Sequence, residues 1–207
     1  MRRSLLLAAL LLIVPTAQAA PYYESGTMGA TNQNGGDFLG NSQFIGARFI
    51  VSSPVTIDRI GGHIGRSTTS TASEQLFGVI CQLSGMSDMP DSLNLSTPDI
   101  LAVTLFTPPL ASNDLAIPIT PVTLGPGTYG VLFGSGLFGA TARGFIPFNS
   151  TNVGLPSFFW RDSVPQWRNG GLPPGRLTVY EVGAPAPEPA TLALLATAGL
   201  PALRRRR

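Results

Sequence analysis

The chain has 207 residues, 43% of them hydrophobic and 12% charged, with one cysteine, one histidine, no lysine and 13 arginines against 11 acidic residues. The formal charge of +2 misleads, because Arg2, Arg3 and Arg204 to Arg207 sit at the two ends. Seven arginines and eleven acids lie between those clusters, a net −4, so the interior has no electrostatic footprint for nucleic acid. A lone cysteine excludes an internal disulfide. With 24 glycines and 19 prolines, the chain is rich in turns.

In chain order, Arg2 and Arg3 precede an apolar run from Leu5 to Val14, then Pro15, Thr16 and Ala17-Gln18-Ala19. A positive n-region, a short h-region and an A-x-A site predict a signal peptide over residues 1–19. Ala17 and Ala19 are its cleavage-site residues, and cleavage is expected before Ala20. A buried N-terminal helix is the alternative, and the order of charge, apolar run and small residues argues against it. Residues 20 to about 41 are polar and glycine-rich, an expected irregular lead-in.

The segment 20–182 is long enough for one domain with a real core. None of its stretches keeps helical periodicity over three turns. Short apolar runs recur instead, broken by Gly, Pro, Ser and Asn. They predict strands at Phe44–Val51, Val55–Ile60, Leu76–Leu83, Ile100–Phe106, Leu115–Ile119, Thr128–Phe133, Phe145–Phe148, Phe158–Trp160 and Leu177–Val182. The third is apolar on both faces, as a central strand covered on each side would be. In the fifth, Pro118 lacks a ladder donor and marks an edge. Spacing and turns together predict an all-β fold, a single jelly-roll-like β-sandwich. It would be flanked by a signal helix and a C-terminal hydrophobic helix.

Several motifs invite a chemical reading. Cys81 alternates with Phe77, Val79 and Leu83 on one strand face, which marks a buried small hydrophobe. A catalytic thiol would need His63 as its base. Asp88, Asp91, Ser92 and Asn94 share one loop and Asn32, Asn34 and Asp37 another. Calcium takes such oxygen ligands, but neither spacing matches a dedicated site, and turn chemistry by Asp and Asn explains both. Glycoside hydrolysis needs two carboxylates across a cleft, and no pairing of the acids is legible.

Gly134-Ser135-Gly136-Leu137-Phe138-Gly139 spells G-x-G-x-x-G after a predicted strand, with Asp162 about 20 residues on. A dinucleotide site needs a helix opening at the third glycine, whereas Gly144 and Pro147 interrupt that stretch. A glycine-rich loop is expected there and no cofactor. The aromatic segment Phe158-Phe159-Trp160-Arg161-Asp162, with Trp167-Arg168-Asn169, places both tryptophans within eight residues. Trp160 and Trp167 are therefore candidate glycan contacts, flat apolar rings beside groups that satisfy hydroxyls. Inward packing of alternate residues, Phe159 among them, is the competing reading. No metal site and no catalytic residue is assigned, and the chain is expected not to be an enzyme.

Residues 183–189 form a Pro-rich linker ending in Pro187-Glu188-Pro189. An apolar run of 14 residues, Ala190 to Leu203, and Arg204-Arg205-Arg206-Arg207 complete the chain. As a helix the run reaches about 21 Å, against about 30 Å for a bilayer core. Pro201 shortens it further, while the arginine stems recover some length by snorkelling and hold the end on the cytoplasmic side.

This order of Pro-Glu-Pro, apolar segment and arginine cluster resembles the PEP-CTERM sorting signal of bacterial exported proteins. The resemblance covers about the last two dozen residues. It implies recognition and removal of the tail by an exosortase in the inner membrane of a Gram-negative bacterium, with residues 190–207 inserted there transiently. An ordinary permanent anchor is the alternative. Leu124 to Gly139, LGPGTYGVLFGSGLFG, also resembles the turn-and-strand segment of secreted bacterial β-sandwich domains that bear surface anchors. The expectation is an exported structural or adhesive protein of the cell surface or the biofilm and exopolysaccharide matrix. The alternative is a carbohydrate-binding protein that meets extracellular polysaccharide through its tryptophans.

Overall fold

Alternation along the apolar runs gives each long strand two usable faces, and the chain arranges them as two packed antiparallel sheets. The computed structural model describes residues 20–27, 36–40, 43–148, 150–161, 164–170 and 175–183. Its strands are β1 (Tyr23–Glu24), β2 (Asp37–Leu39), β3 (Phe44–Val51), β4 (Val55–Arg66), β5 (Leu76–Leu83) and β6 (Ile100–Phe106). They continue with β7 (Asn113–Leu124), β8 (Gly127–Gly134), β9 (Gly144–Ile146), β10 (Ser157–Arg161), β11 (Trp167–Asn169) and β12 (Leu177–Glu181). The described residues contain no helix. The signal and tail segments lie outside them.

The first sheet runs β1-β12-β4-β9-β2, with β7 also paired to β4, and the second runs β11-β10-β3-β8-β5-β6. Ile57, Ile60, Ile64, Leu177 and Val179 of the first face Ala47, Phe49, Ile80, Val131 and Phe133 of the second across one shared core. Each fully buried side chain of this size contributes about 1.5–3 kcal/mol of transfer free energy.

The second sheet is covered on its outer face as well. Phe44, Phe77, Val79, Cys81, Leu83, Leu132 and Phe159 form a smaller core there, closed by Leu95, Ala140 and Trp167. Leu95 holds a left-handed backbone (φ 52°), unusual for a leucine, while its side chain plugs this core at 2% exposure. Gly130 makes room for the packing, since a Cβ there would sit 2.9 Å from Cys81 Sγ and 3.1 Å from the Phe159 ring.

Several predicted strands appear as drawn. β5 is central and buried on both faces, and β7 pairs only with β4, leaving Pro118 on an edge. The predicted strand Leu115–Ile119 runs from Asn113 to Leu124, and the one predicted at Phe145–Phe148 spans Gly144–Ile146, short of Pro147 and Phe148. Two larger expectations are also corrected. The lead-in is not wholly irregular, because Tyr23–Glu24 pairs with β12 and Asp37–Leu39 with β9. The second predicted strand continues past Ile60 through Gly61 and Gly62 to Arg66. Those glycines belong inside the sheet, because a Cβ on Gly61 would run into the Leu115 carbonyl oxygen of β7.

Candidate functional site

The hairpin of β10 and β11 decides where the tryptophans go. Arg161 pairs with Trp167 and Trp160 with Arg168, so the two tryptophans have opposite parity in the ladder. Trp160 packs from the inner face against the shared core, beside Phe158. Trp167 packs on the outer face, its ring 5.8 Å from Phe159 and 6.2 Å from Phe44. Both are half-buried, and Trp167 Nε1 is buried without a hydrogen-bond partner among the described residues. The structure does not bring the two rings onto one surface. Phe159 is fully buried, as expected.

Cys81 lies within the outer core. Its thiol donates to the Gly130 carbonyl at 3.6 Å, and burial pushes it up to about 12. A thiol so rarely ionised is inert toward nucleophilic chemistry.

In the glycine-rich loop, Gly136 and Gly139 hold positive φ (89° and 86°). Gly136 N–H donates to the Ala140 carbonyl at 2.8 Å. The chain then runs extended into β9 rather than into a helix. The glycines make a turn, as the sequence suggested.

In the Asp88 loop, Ser84 donates to Asp88 Oδ2 from both its N–H and its hydroxyl, each at 2.7 Å. These bonds hold the carboxyl below its usual range. Asn94 Oδ1 accepts from the Ser96 hydroxyl, and Ser92 Oγ accepts from Ser96 N–H and the Thr97 hydroxyl. This is turn chemistry. Among the described residues, no three His, Cys, Asp or Glu side chains gather as a metal site. Asn32, Asn34, Asp162, Ala17, Ala19, Pro187, Glu188, Pro189 and Arg204 to Arg207 lie outside the described residues.

Two buried polar constellations were not foreseen. In the first sheet, His63 Nδ1 meets Asp114 Oδ1 at 2.8 Å. Asp114 Oδ2 accepts from Arg176 Nη1 at 2.5 Å, and Arg176 also bonds Glu24 Oε2 at 3.1 Å and the Gly26 carbonyl. Burial opposes the charge on Arg176, but Asp114 and Glu24 outweigh it and lift the guanidinium above its ordinary range. The cluster ties β1, β4 and β7 to the residue that opens β12. Ser25, also buried here, directs its hydroxyl to the Gly175 carbonyl and accepts from Leu177 N–H.

The second constellation lies on the outer face of the second sheet. Arg48 of β3 is 1% exposed, and its guanidinium rests 4.7 Å above the Phe159 ring. It donates to the Asp88 carbonyl (2.6 Å), Ser157 Oγ (3.2 Å), the Phe158 carbonyl (3.1 Å) and Asn169 Oδ1 (2.5 Å). Burial lowers its pKa, and the nearby Asp88 charge partly restores it. These bonds join the loop after β5 to both strands of the β10–β11 hairpin. Between them opens a cleft of about 490 Å³, with Met86, Ser87, Asn152, Pro156, Ser157 and Asn169 in its lining. Arg48 carried no local signal, since its partners lie 40 to 121 residues away.

No protein-family model matches the chain, and no curated protein shows significant similarity to it.

Proposed function

We propose that this chain is an exported, non-catalytic protein of the bacterial cell surface or extracellular matrix, structural or adhesive in role, whose tail an exosortase removes. What carries this reading is the ordered tail, Pro187-Glu188-Pro189, apolar run and Arg204–Arg207, opposite an N-terminal signal peptide. In this reading residues 1–19 and 190–207 are helices during export, flanking a jelly-roll-like sandwich.

One feature of the fold supports it. β1 pairs antiparallel to β12, Tyr23 with Val179 and Glu24 with Thr178. The chain therefore enters at Ala20 and leaves after Glu181 at one end of the sandwich. Loops 67–75, 107–112 and 135–143 gather at the other end, joined by Arg66 N–H to the Pro109 carbonyl and Ser67 N–H to the Arg143 carbonyl. A domain held in the membrane by either end thus turns the same loops outward.

Mass spectrometry of surface-exposed protein tests the proposal. The expected N-terminal peptide begins near Ala20, and the expected C-terminal peptide lacks Arg204–Arg207. Surface protein that keeps all four arginines overturns the sorting reading. Changing Pro187-Glu188-Pro189 to alanines is expected to trap full-length precursor in the inner membrane. The carbohydrate-binding alternative gains no shared platform from Trp160 and Trp167, and the cleft over Arg48 supports it better.

A further inference from the structure

We infer that the cleft over Arg48 binds a neutral sugar residue, a hexose unit of a glycan. Among the described residues the lining is uncharged: the Ser87 hydroxyl, amides from Asn152 and Asn169, and apolar surface from Met86, Pro156 and Phe158, with Ser157 Oγ already accepting from Arg48 and donating to the Met86 carbonyl. Amides and hydroxyls both donate and accept, which matches a ligand whose own hydroxyls do the same. Met86 (39% exposed) and Pro156 offer surface to the C–H face of a pyranose. The volume lies within the roughly 300–1,000 Å³ of small-molecule sites.

The site is built rather than incidental. Arg48 makes four hydrogen bonds to three separate segments of the wall, so little ordering remains to be done on binding. Because Arg48 can only donate, Asn169 must turn Oδ1 toward it, which fixes the amide. Asn169 Nδ2 then gives one bond to the Ser87 carbonyl at 3.2 Å and keeps a second N–H for a ligand. Asn152 is exposed, and its amide has no protein hydrogen bond among the described residues. Its backbone is held by the Gly26 bridge and by Val153 N–H to the Ser25 carbonyl. Arg48, with four of its five N–H donors committed to the protein, is a positioning residue that holds the walls of the cleft together.

The choice of a glycan rests on the matrix-facing reading above, but the two stand apart experimentally, since sugar binding does not depend on tail processing. The full-length chain, labelled with ¹⁵N at asparagine and tryptophan and held in detergent, is titrated with maltotriose, cellotriose and mannotriose. A galacturonate trisaccharide is the acidic arm. At least one neutral trisaccharide is expected to shift the Asn152 and Asn169 side-chain amides at millimolar concentration. Asn152→Leu, at an exposed position outside the Arg48 network, is expected to weaken that binding about three- to tenfold while leaving the melting temperature unchanged. The inference fails if no neutral trisaccharide moves these amides, if the acidic one binds more tightly, if only the tryptophan indoles respond, or if Asn152→Leu binds as wild type.

Discussion

Two buried arginines face opposite problems in this molecule. Arg176 lies among strands of the first sheet and meets two carboxylates, Asp114 and Glu24. Arg48, less exposed than Arg176, has no carboxylate within ion-pair distance among the described residues and is held by two carbonyls, a hydroxyl and an amide. The first arrangement ties neighbouring strands together through paired charges. The second stiffens a surface loop and a hairpin without placing any charge in the cleft they form. A cation paired with acids fastens the fold, whereas a cation solvated by neutral dipoles can shape a neutral site.

The sharpest way to break this contrast is to remove the shared carboxylate. Asp114→Ala strips His63 and Arg176 of a common partner and leaves the buried guanidinium with Glu24 as its remaining carboxylate. Losing one partner of a buried pair costs about 3–5 kcal/mol, and urea denaturation of the chain is expected to show a destabilisation of that order.

Arg48→Met is expected to cost less, about 1–3 kcal/mol, because Asn169 and the loop around Asp88 lie where water can replace the lost donors. Amide hydrogen exchange separates the two cases: Arg48→Met should lose protection around residues 84–89 and in the β10–β11 hairpin, and Asp114→Ala across β4, β7 and β12. Arg48→Lys is not expected to restore the site, since an ammonium cannot reproduce a planar fork reaching three segments.

Asp37 gives the smallest effect and the inverse case, a carboxyl half-buried in the first sheet with no cation in contact among the described residues. Burial pushes its pKa up from 3.8 to about 6. The folded chain therefore holds this proton more tightly than the unfolded chain does. Between those two values the folded state carries more protons, so stability falls as pH rises through the window and the penalty is complete above it. Asp37→Asn is expected to flatten that part of the melting-temperature profile. An unchanged profile would mean that Asp37 is not the group responsible.

What was legible in the sequence follows the same division. β5 and β6 have the predicted ends, Leu76–Leu83 and Ile100–Phe106, because each is a short, mostly apolar run bounded by polar or turn residues. The second half of β4 hid behind Gly61, Gly62 and Gly65, whose missing side chains matter only once β7, β9 and β12 lie alongside. β1, β2 and β11, two or three residues each, are too short for periodicity to register.

The cleft was the least legible feature. The aromatic segment was noticed, but the faces of Trp160 and Trp167 depend on the hairpin register, which local sequence did not specify. Arg48 could be placed only by a fold that joins residues 48, 88, 157 and 169.

The pairing of β1 with β12 also has a mechanical consequence. With entry and exit at one end, a force pulling the two termini apart would open this pair one hydrogen bond at a time, like a zipper, and would meet little resistance. A force between one terminus and the loops at 67–75, 107–112 and 135–143 instead runs lengthwise along β4, β7 and β12 and loads many bonds together in shear. A sandwich held by one terminus and gripped at those loops is pulled only in this second, stronger direction.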